Sequence, residues 1–251
     1  MRATAPPNTI RVALASVRRP VHAGFSRDAA TIAAALEAFR VVSVKPGRID
    51  LRRGATTLVF RELAPVAAIR AFRRGAVDEA PVPVGDIGFF RGSGALRVRR
   101  LDVVDAVVFA ADVPAALRGA YAATAARSDY AALLADATDD AAVDPDPAAF
   151  RRALKEIPHL PRRQVRVALP QDPALAYGAR LLVADWRQVG LGPRLVGRGA
   201  PVDARLVRVA HPPPGAVRIA WAVDARLVSP RLRGWREDAR GVVDYRRVRA
   251  R

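Results

Sequence analysis

The sequence predicts an α/β fold, a sheet with parallel strands covered by helices. Two stretches, Thr57 to Pro83 and Gln164 to Val196, repeat one local order of strand, capped helix, glycine stop and strand. A strand that returns through a helix lies parallel to the strand it left. A third observation is the near-continuous apolar run Val103–Phe109, the pattern of a strand buried on both faces. Sheets of this class place ligands at strand ends.

The chain has 251 residues, 51% of them apolar, which is enough to bury a core and too apolar for a disordered chain. Cysteine is absent, which removes disulfides, thiolate metal sites and cysteine nucleophiles. The formal net charge is +18, and Lys45 and Lys155 are the only lysines, so the positive charge is almost all arginine. A nucleic acid or another anionic surface is one partner such a charge suggests. However, the arginines are spread along the whole chain, whereas a binding footprint gathers on one face. No stretch approaches the roughly 20 apolar residues that span a bilayer. The N-terminal apolar run Val12–Ala15 is too short for a signal-peptide core and is soon followed by Arg18-Arg19.

Taken in order, Ile10–Ala15 reads as a short strand. Asp28–Arg40 reads as a helix with Ile32, Leu36 and Phe39 on one face. Val41–Val44 and Ile49–Leu51 form a hairpin turning at Lys45-Pro46-Gly47. In the first βαβ segment, Leu58–Phe60 is the strand, and Pro65 sits where a missing N–H costs nothing. Ile69 and Phe72 face the core, and Gly75 supplies the left-handed stop. Ala76–Pro83 is the return strand, and Gly85–Gly94 is a loop. Pro114–Arg127 and Asp129–Ala137 read as helices, and Asp146 caps another that starts at Pro147 and runs to Ile157. In the second segment Val165–Val167 is the strand and Asp172 the cap. Leu175, Leu182, Trp186 and Val189 form the apolar stripe, and Gly190 is the stop. Asp203–Val209 alternates as an exposed strand would, and Val217–Val223 is a last strand. From Ser229 the tail is irregular, with Trp235 and Tyr245 as packing anchors.

Several local series resemble the family 5 extracellular solute-binding proteins, the peptide-, dipeptide- and nickel-binding components of ABC importers. Phe39–Leu51 is similar to that family's strand pair. Ile69–Ala80 resembles its A-F-x-x-G-x-x-D element, here Ala71, Phe72, Gly75 and Asp78. Leu117–Arg127, Tyr177–Val196 and Ser229–Tyr245 resemble further elements in the same order. A full member is longer, with two lobes and a small third subdomain. The resemblance implies a periplasmic-binding-protein-like fold of type II, with one main lobe carrying the βαβ units and a reduced second lobe. It places residues 1–52 in a remnant of the first lobe, 53–210 in the main lobe and 211–251 in a return segment. It also implies a monomeric solute-binding protein, not an enzyme and without a cofactor, that holds a small peptide or other small solute between lobes and docks on an ABC permease. It implies an extracytoplasmic location, against which stands the lack of a signal-peptide core; a cytoplasmic or N-terminally shortened chain is the other reading. An arginine-rich binder of nucleic acid or anionic surfaces, and a degenerate relative without transport function, remain alternatives.

A peptide site needs a carboxylate for the amino end, an arginine for the carboxyl end and aromatic walls. Asp86, Phe89, Phe90 and Arg91, after the first return strand, meet that need at a strand end. As an ordinary loop the same segment would use its phenylalanines as anchors. Trp221 is the further candidate for a cleft wall, with core packing as its structural alternative. His22, His159 and His211 have no ligand spacing, and Gly92-Ser93-Gly94 is neither a nucleophile elbow nor a phosphate loop. Asp136, Asp139 and Asp140 lack the glycine turn and distal glutamate of a calcium loop.

Overall fold

The computed structural model describes residues 8–15, 26–125, 127, 130, 146–170 and 172–251. His22, the acidic group at 136–140 and nearly all of the helix expected over 129–137 lie outside the described residues. The chain forms two compact units, Met1–Leu101 with Val223–Arg251, and Asp102–Ala222.

The first unit begins with β1 (Thr9–Leu14) and α1 (Arg27–Ala38). The Ser26 hydroxyl caps α1 by accepting the Ala29 N–H at 3.3 Å. The helix buries Thr31, Ile32 and Ala35, while Leu36 stays 45% exposed. Ile32 and Phe39 of the expected stripe are buried, and Ala35 takes the place of Leu36 between them. The helix stops at Ala38, and Phe39 turns to extended backbone and inserts its ring from outside the helix. A hairpin follows, β2 (Arg40–Lys45) and β3 (Arg48–Arg53), antiparallel as expected and turning at Pro46-Gly47 with Gly47 at φ +67°. β4 (Thr56–Glu62) pairs antiparallel with β3.

α2 (Pro65–Arg73) has proline at its first position, buries Ala68, Ile69 and Ala71, and ends before Gly75 at φ +67°. It leads to β5 (Glu79–Pro81). β4 and β5 are parallel in direction, but they are not neighbours: β1 lies between them and pairs parallel with both. The crossover skips one strand, which local sequence could not reveal. Beyond β5, Val84–Phe90 is a 3-10 helix rather than a loop. One face of this sheet carries Ile10, Val12, Leu14, Leu51, Leu58 and Phe60, covered by α1 and by the C-terminal tail through Val243, Tyr245 and Val248. The Phe60 and Tyr245 rings meet edge-on at 5.8 Å. Ala13 and Ala80 pack instead against α2 on the other side.

A charged cluster is buried in this unit. Glu79, fully buried, accepts from the Tyr245 hydroxyl at 2.6 Å, Trp235 Nε1 at 2.7 Å and Arg27 Nη2 at 3.1 Å, with Arg226 Nη1 at 3.3 Å. Arg27 also donates to the Gly241 carbonyl at 2.6 Å, and Arg226 reaches Asp224 and Asp28. Burial disfavours the Arg226 charge, but Asp224, Glu79 and Asp28 outweigh it and raise its pKa. Glu237 lies beside this cluster. Burial first, then the Asp224 charge, pushes its carboxyl up to about 7. A carboxyl raised in the folded state favours folding below its ordinary pKa, and that contribution is lost as pH rises through about 7. Glu237→Gln should therefore gain in urea midpoint over the parent chain more at pH 7.5 than at pH 5. A gain that is the same at both pH values contradicts this account.

The chain enters the second unit within β6 (Leu96–Phe109), whose Val103–Val107 is buried throughout as expected. α3 (Ala115–Ala123) is shorter than the expected Pro114–Arg127 and ends at Thr124, whose hydroxyl donates to the Ala120 carbonyl at 2.7 Å. α4 (Pro147–Glu156) is capped by Asp146, whose Oδ1 accepts from Ala148 and Ala149 at 3.0 and 2.9 Å. β7 (Val165–Ala168), α5 (Pro173–Gln188) and β8 (Pro193–Val196) form a direct βαβ unit with β7 and β8 paired in parallel. Asp172 caps α5 by accepting the Leu175 N–H at 3.1 Å. Leu175, Leu182 and Trp186 are buried along its inner face. Trp186 meets Tyr121 edge-on at 4.9 Å and donates Nε1 to the Tyr121 carbonyl at 3.1 Å.

β9 (Ala204–Val209) corrects the expected exposed strand: it lies between β6, antiparallel, and β7, parallel. Arg205 is exposed as expected, but Arg208 is tied rather than solvated. Arg208 grips buried Asp105 through Nε at 2.8 Å and Nη2 at 3.0 Å, and Tyr130 donates to the same carboxylate at 2.8 Å. At the head of β9, Asp203 accepts from Arg166 N, Nε and Nη2 and from Arg163 Nη2, all within 3.0 Å. These bonds, led by Arg166, hold its carboxyl well below the usual range. β10 (Val217–Val228) is longer than the expected Val217–Val223. It returns the chain to the first unit, where Arg226–Val228 pairs antiparallel with β5. The tail adds a small ladder, β11 (Leu232–Arg233) with β12 (Arg249–Ala250).

Candidate functional site

Two places in the first unit present chemistry to solvent. The first is the 3-10 turn Val84–Phe90, which starts after Pro83 and ends with the Arg91 N–H on the Gly88 carbonyl at 3.3 Å. A 3-10 turn separates side chains by about a third of a circle, so one can anchor while its neighbours project. Ile87 is the anchor, 1% exposed. Phe89 projects, 83% exposed, an unusual placement for a large aromatic ring. Asp86 is half-buried, and its carboxylate makes no hydrogen bond or ion pair among the described residues. Phe90 is half-buried under the Arg73 guanidinium, 5.6 Å from the ring centre. Arg91 is exposed. Four of the five residues singled out from sequence thus share one turn. The fifth, Trp221, is half-buried on β10 within the second unit.

The second place went unnoticed in the sequence. It is a groove of about 270 Å3 on the sheet face opposite the apolar core, lined by Thr9, Arg11, Arg48, Asp50, Thr57, Val59 and Arg61. Strand register assembles it. Arg48 stands opposite Arg61, Asp50 opposite Val59, Val59 beside Arg11, and Thr57 beside Thr9. Paired residues share a face, so the polar half of three alternating strands meets here. The signal was present locally as the alternation in Arg48-Ile49-Asp50-Leu51-Arg52. Arg11 and Arg61 join it only through long-range pairing.

Among the described residues no group of three or more His, Asp or Glu side chains is arranged to hold a metal, and no helix is long and apolar enough to cross a membrane. His159 and His211 are both exposed.

No protein-family model matches this sequence, and no curated protein matches it. Solved structures do match in fold. NikZ from Campylobacter jejuni in complex with Ni(L-His) is 12% identical, with a TM-score of 0.66 over 84% of this chain and 67% of its own. OppA from Haemophilus influenzae, in complex with the peptide RPPGFSPFR, is 11% identical, with a TM-score of 0.67 over 85% and 64%. The oligopeptide-binding protein AppA from Bacillus subtilis, in complex with a nonapeptide, is 8% identical, with a TM-score of 0.65 over 85% and 66%. The chain thus spans about two thirds of the length of the solved proteins it matches. The fold is α/β and periplasmic-binding-protein-like, as the sequence led us to expect.

Proposed function

We propose that this chain is a solute-binding protein of an ABC-type importer, taking small peptides or related solutes. The supporting observation is the fold match over 84–85% of the chain to proteins solved with peptides or nickel-histidine bound. In this reading the protein breaks no bond, works as a monomer outside the cytoplasm, and delivers its solute to a permease. A binder of this kind acts by differential affinity: the solute favours one conformation, which the permease recognises.

Within the reading, the turn holding Asp86, Phe89, Phe90 and Arg91 contacts the solute. The Asp86 carboxylate is suited to a peptide amino group, the Arg91 guanidinium to a carboxylate, and the exposed Phe89 ring to an apolar side chain. Trp221 is a separate candidate contact.

The test is thermal unfolding with a pool of di- to hexapeptides. A single-site peptide at 100 times its Kd adds roughly 2.7 kcal/mol, a rise of several degrees in the midpoint. Asp86→Ala and Phe89→Ala should abolish the rise while leaving the ligand-free midpoint within about a degree of the parent, since surface changes alter stability little. The absence of a rise with any pool, in a folded protein, defeats the reading.

A further inference from the structure

We infer that the groove on the polar sheet face of the first unit binds a small solute carrying two or more phosphoryl groups. This goes beyond the importer reading and depends on one unit alone.

The argument starts from charge. Around the groove, Lys45, Arg48 and Arg61 form one row across β2, β3 and β4. Neighbouring strands lie about 4.8 Å apart, so these cations are closely spaced. Arg40 and Arg52 form a second row, and Arg11 stands in the middle on β1. Six cations therefore share a face whose strands contribute one acid, Asp50. Like charges set side by side on a sheet are destabilising without a counter-charge.

The pairing of these cations leaves donors over. Arg48 gives its Nε to Asp50 at 2.7 Å and remains 47% exposed. Arg11 Nε lies 3.4 Å from Asp78, with no hydrogen bond made, and Asp78 is already taken by Arg231 Nε at 2.8 Å and by the Arg11 backbone N–H at 2.8 Å. The half-buried Arg61 side chain makes no hydrogen bond or ion pair among the described residues. Arg61 is thus placed at the groove wall, partly desolvated and with no ion-pair partner among the described residues.

The chemistry of the lining narrows the ligand. Guanidinium forks match carboxylate and phosphate oxygens, and the hydroxyl of half-buried Thr57 adds a neutral donor. Three guanidiniums offer more donors than one carboxylate has oxygens, whereas a diphosphate has enough acceptors for all three. The lining contains no aromatic ring on which a base would stack, which disfavours single-stranded nucleic acid. A volume of about 270 Å3, just below the roughly 300–1,000 Å3 of pockets for drug-sized ligands, has room only for a small solute.

The experiment is calorimetric titration with sodium pyrophosphate at low ionic strength. The parent chain should bind one equivalent. Arg61→Ala and Arg48→Ala should each weaken binding about tenfold or more, the value of a lost charge-assisted hydrogen bond. Asp50→Asn, which removes the acid and releases Arg48 Nε, should bind more tightly. Circular dichroism establishes that each variant is folded, and Arg61→Ala, which breaks no side-chain hydrogen bond or ion pair among the described residues, keeps the test decisive if Arg48→Ala does not fold. Absence of binding overturns the inference, as does an affinity unaffected by Arg61→Ala or equal affinity for sulfate. So does tighter binding of a single-stranded oligonucleotide that Arg61→Ala abolishes, since the face would then serve a polymer. The peptide-induced rise in midpoint should survive in Arg61→Ala, so failure of this site and failure of the importer reading are separable.

Discussion

Glu79→Ala should destabilise the first unit by about 3–5 kcal/mol, the usual result of removing one partner from a buried ionic network. Glu79 is fully buried and gathers four partners: Arg27, Arg226, Trp235 and Tyr245. Without it, two guanidiniums that are also nearly sealed from solvent lose their most buried counter-charge. Two neutral donors lose their acceptor at the same time. The network does not collapse to neutrality on its own, because arginine does not shed its proton in a protein. Asp28 and Asp224 remain to compensate in part, which places the cost at a few kcal/mol rather than at the full price of an isolated buried charge.

Glu79→Gln separates charge from hydrogen bonding. Its carbonyl can still accept from Tyr245 or Trp235, so it should fall between the parent and alanine. Amide exchange gives the clearest reading, because stability is resolved by region. Protection should fall in residues 9–14 and 56–62 and persist in 204–209. A Glu79→Ala variant within 1 kcal/mol of the parent would show that the aspartates alone hold the two arginines.

The elements that could be read in the sequence are those whose causes are local. Pro65 with Gly75, Pro46 with Gly47, Asp146 with Pro147, and Asp172 with Gly190 each specify a start or a stop within one or two turns of chain. The parallel pairing of β7 and β8 follows from their short crossover. What could not be read depends on distant partners. β1 is a recognisable strand, but its position between β4 and β5 is decided by pairings with Thr57–Glu62 and with Glu79, far along the chain. Arg208 marks β9 as exposed only until Asp105, inside an apolar run, is seen to hold it. Leu36 fits the helical stripe of Ile32 and Phe39, yet it is Ala35 that takes the buried place between them.

The same distinction separates the two candidate sites. Asp86, Phe89, Phe90 and Arg91 are contiguous, so their common turn could be anticipated even though its 3-10 geometry was not. The groove combines residues from 9 to 61 on three strands, and only the register brings Arg11, Arg48 and Arg61 to one face. Strong net charge spread evenly along a sequence therefore says little about whether it is clustered in space.

Asp105→Ala should have a comparable effect in the second unit, about 3–5 kcal/mol. Asp105 is 1% exposed within β6 and holds Arg208 of the paired strand β9 by two hydrogen bonds. Burial works against the Arg208 charge, and the Asp105 carboxylate more than offsets it, raising the arginine's pKa. Tyr130 donates to the same carboxylate, and its ring lies against Gly178 so closely that a Cβ there would overlap it. Loss of Asp105 thus leaves a largely buried guanidinium, its side chain 19% exposed, without its hydrogen-bonded counter-charge, and frees a tyrosine that is packed on α5. The double variant Asp105→Ala with Arg208→Met removes both charges and fills much of the space with an apolar side chain. It should recover a large part of the loss, since replacing a buried ion pair by apolar groups is often close to neutral. Urea unfolding followed by tryptophan fluorescence reports directly, because Trp186 sits in this unit's core. If the single and double variants are equally unstable, the loss belongs to side-chain volume and the tyrosine contact, and the ion pair is not what β9 contributes.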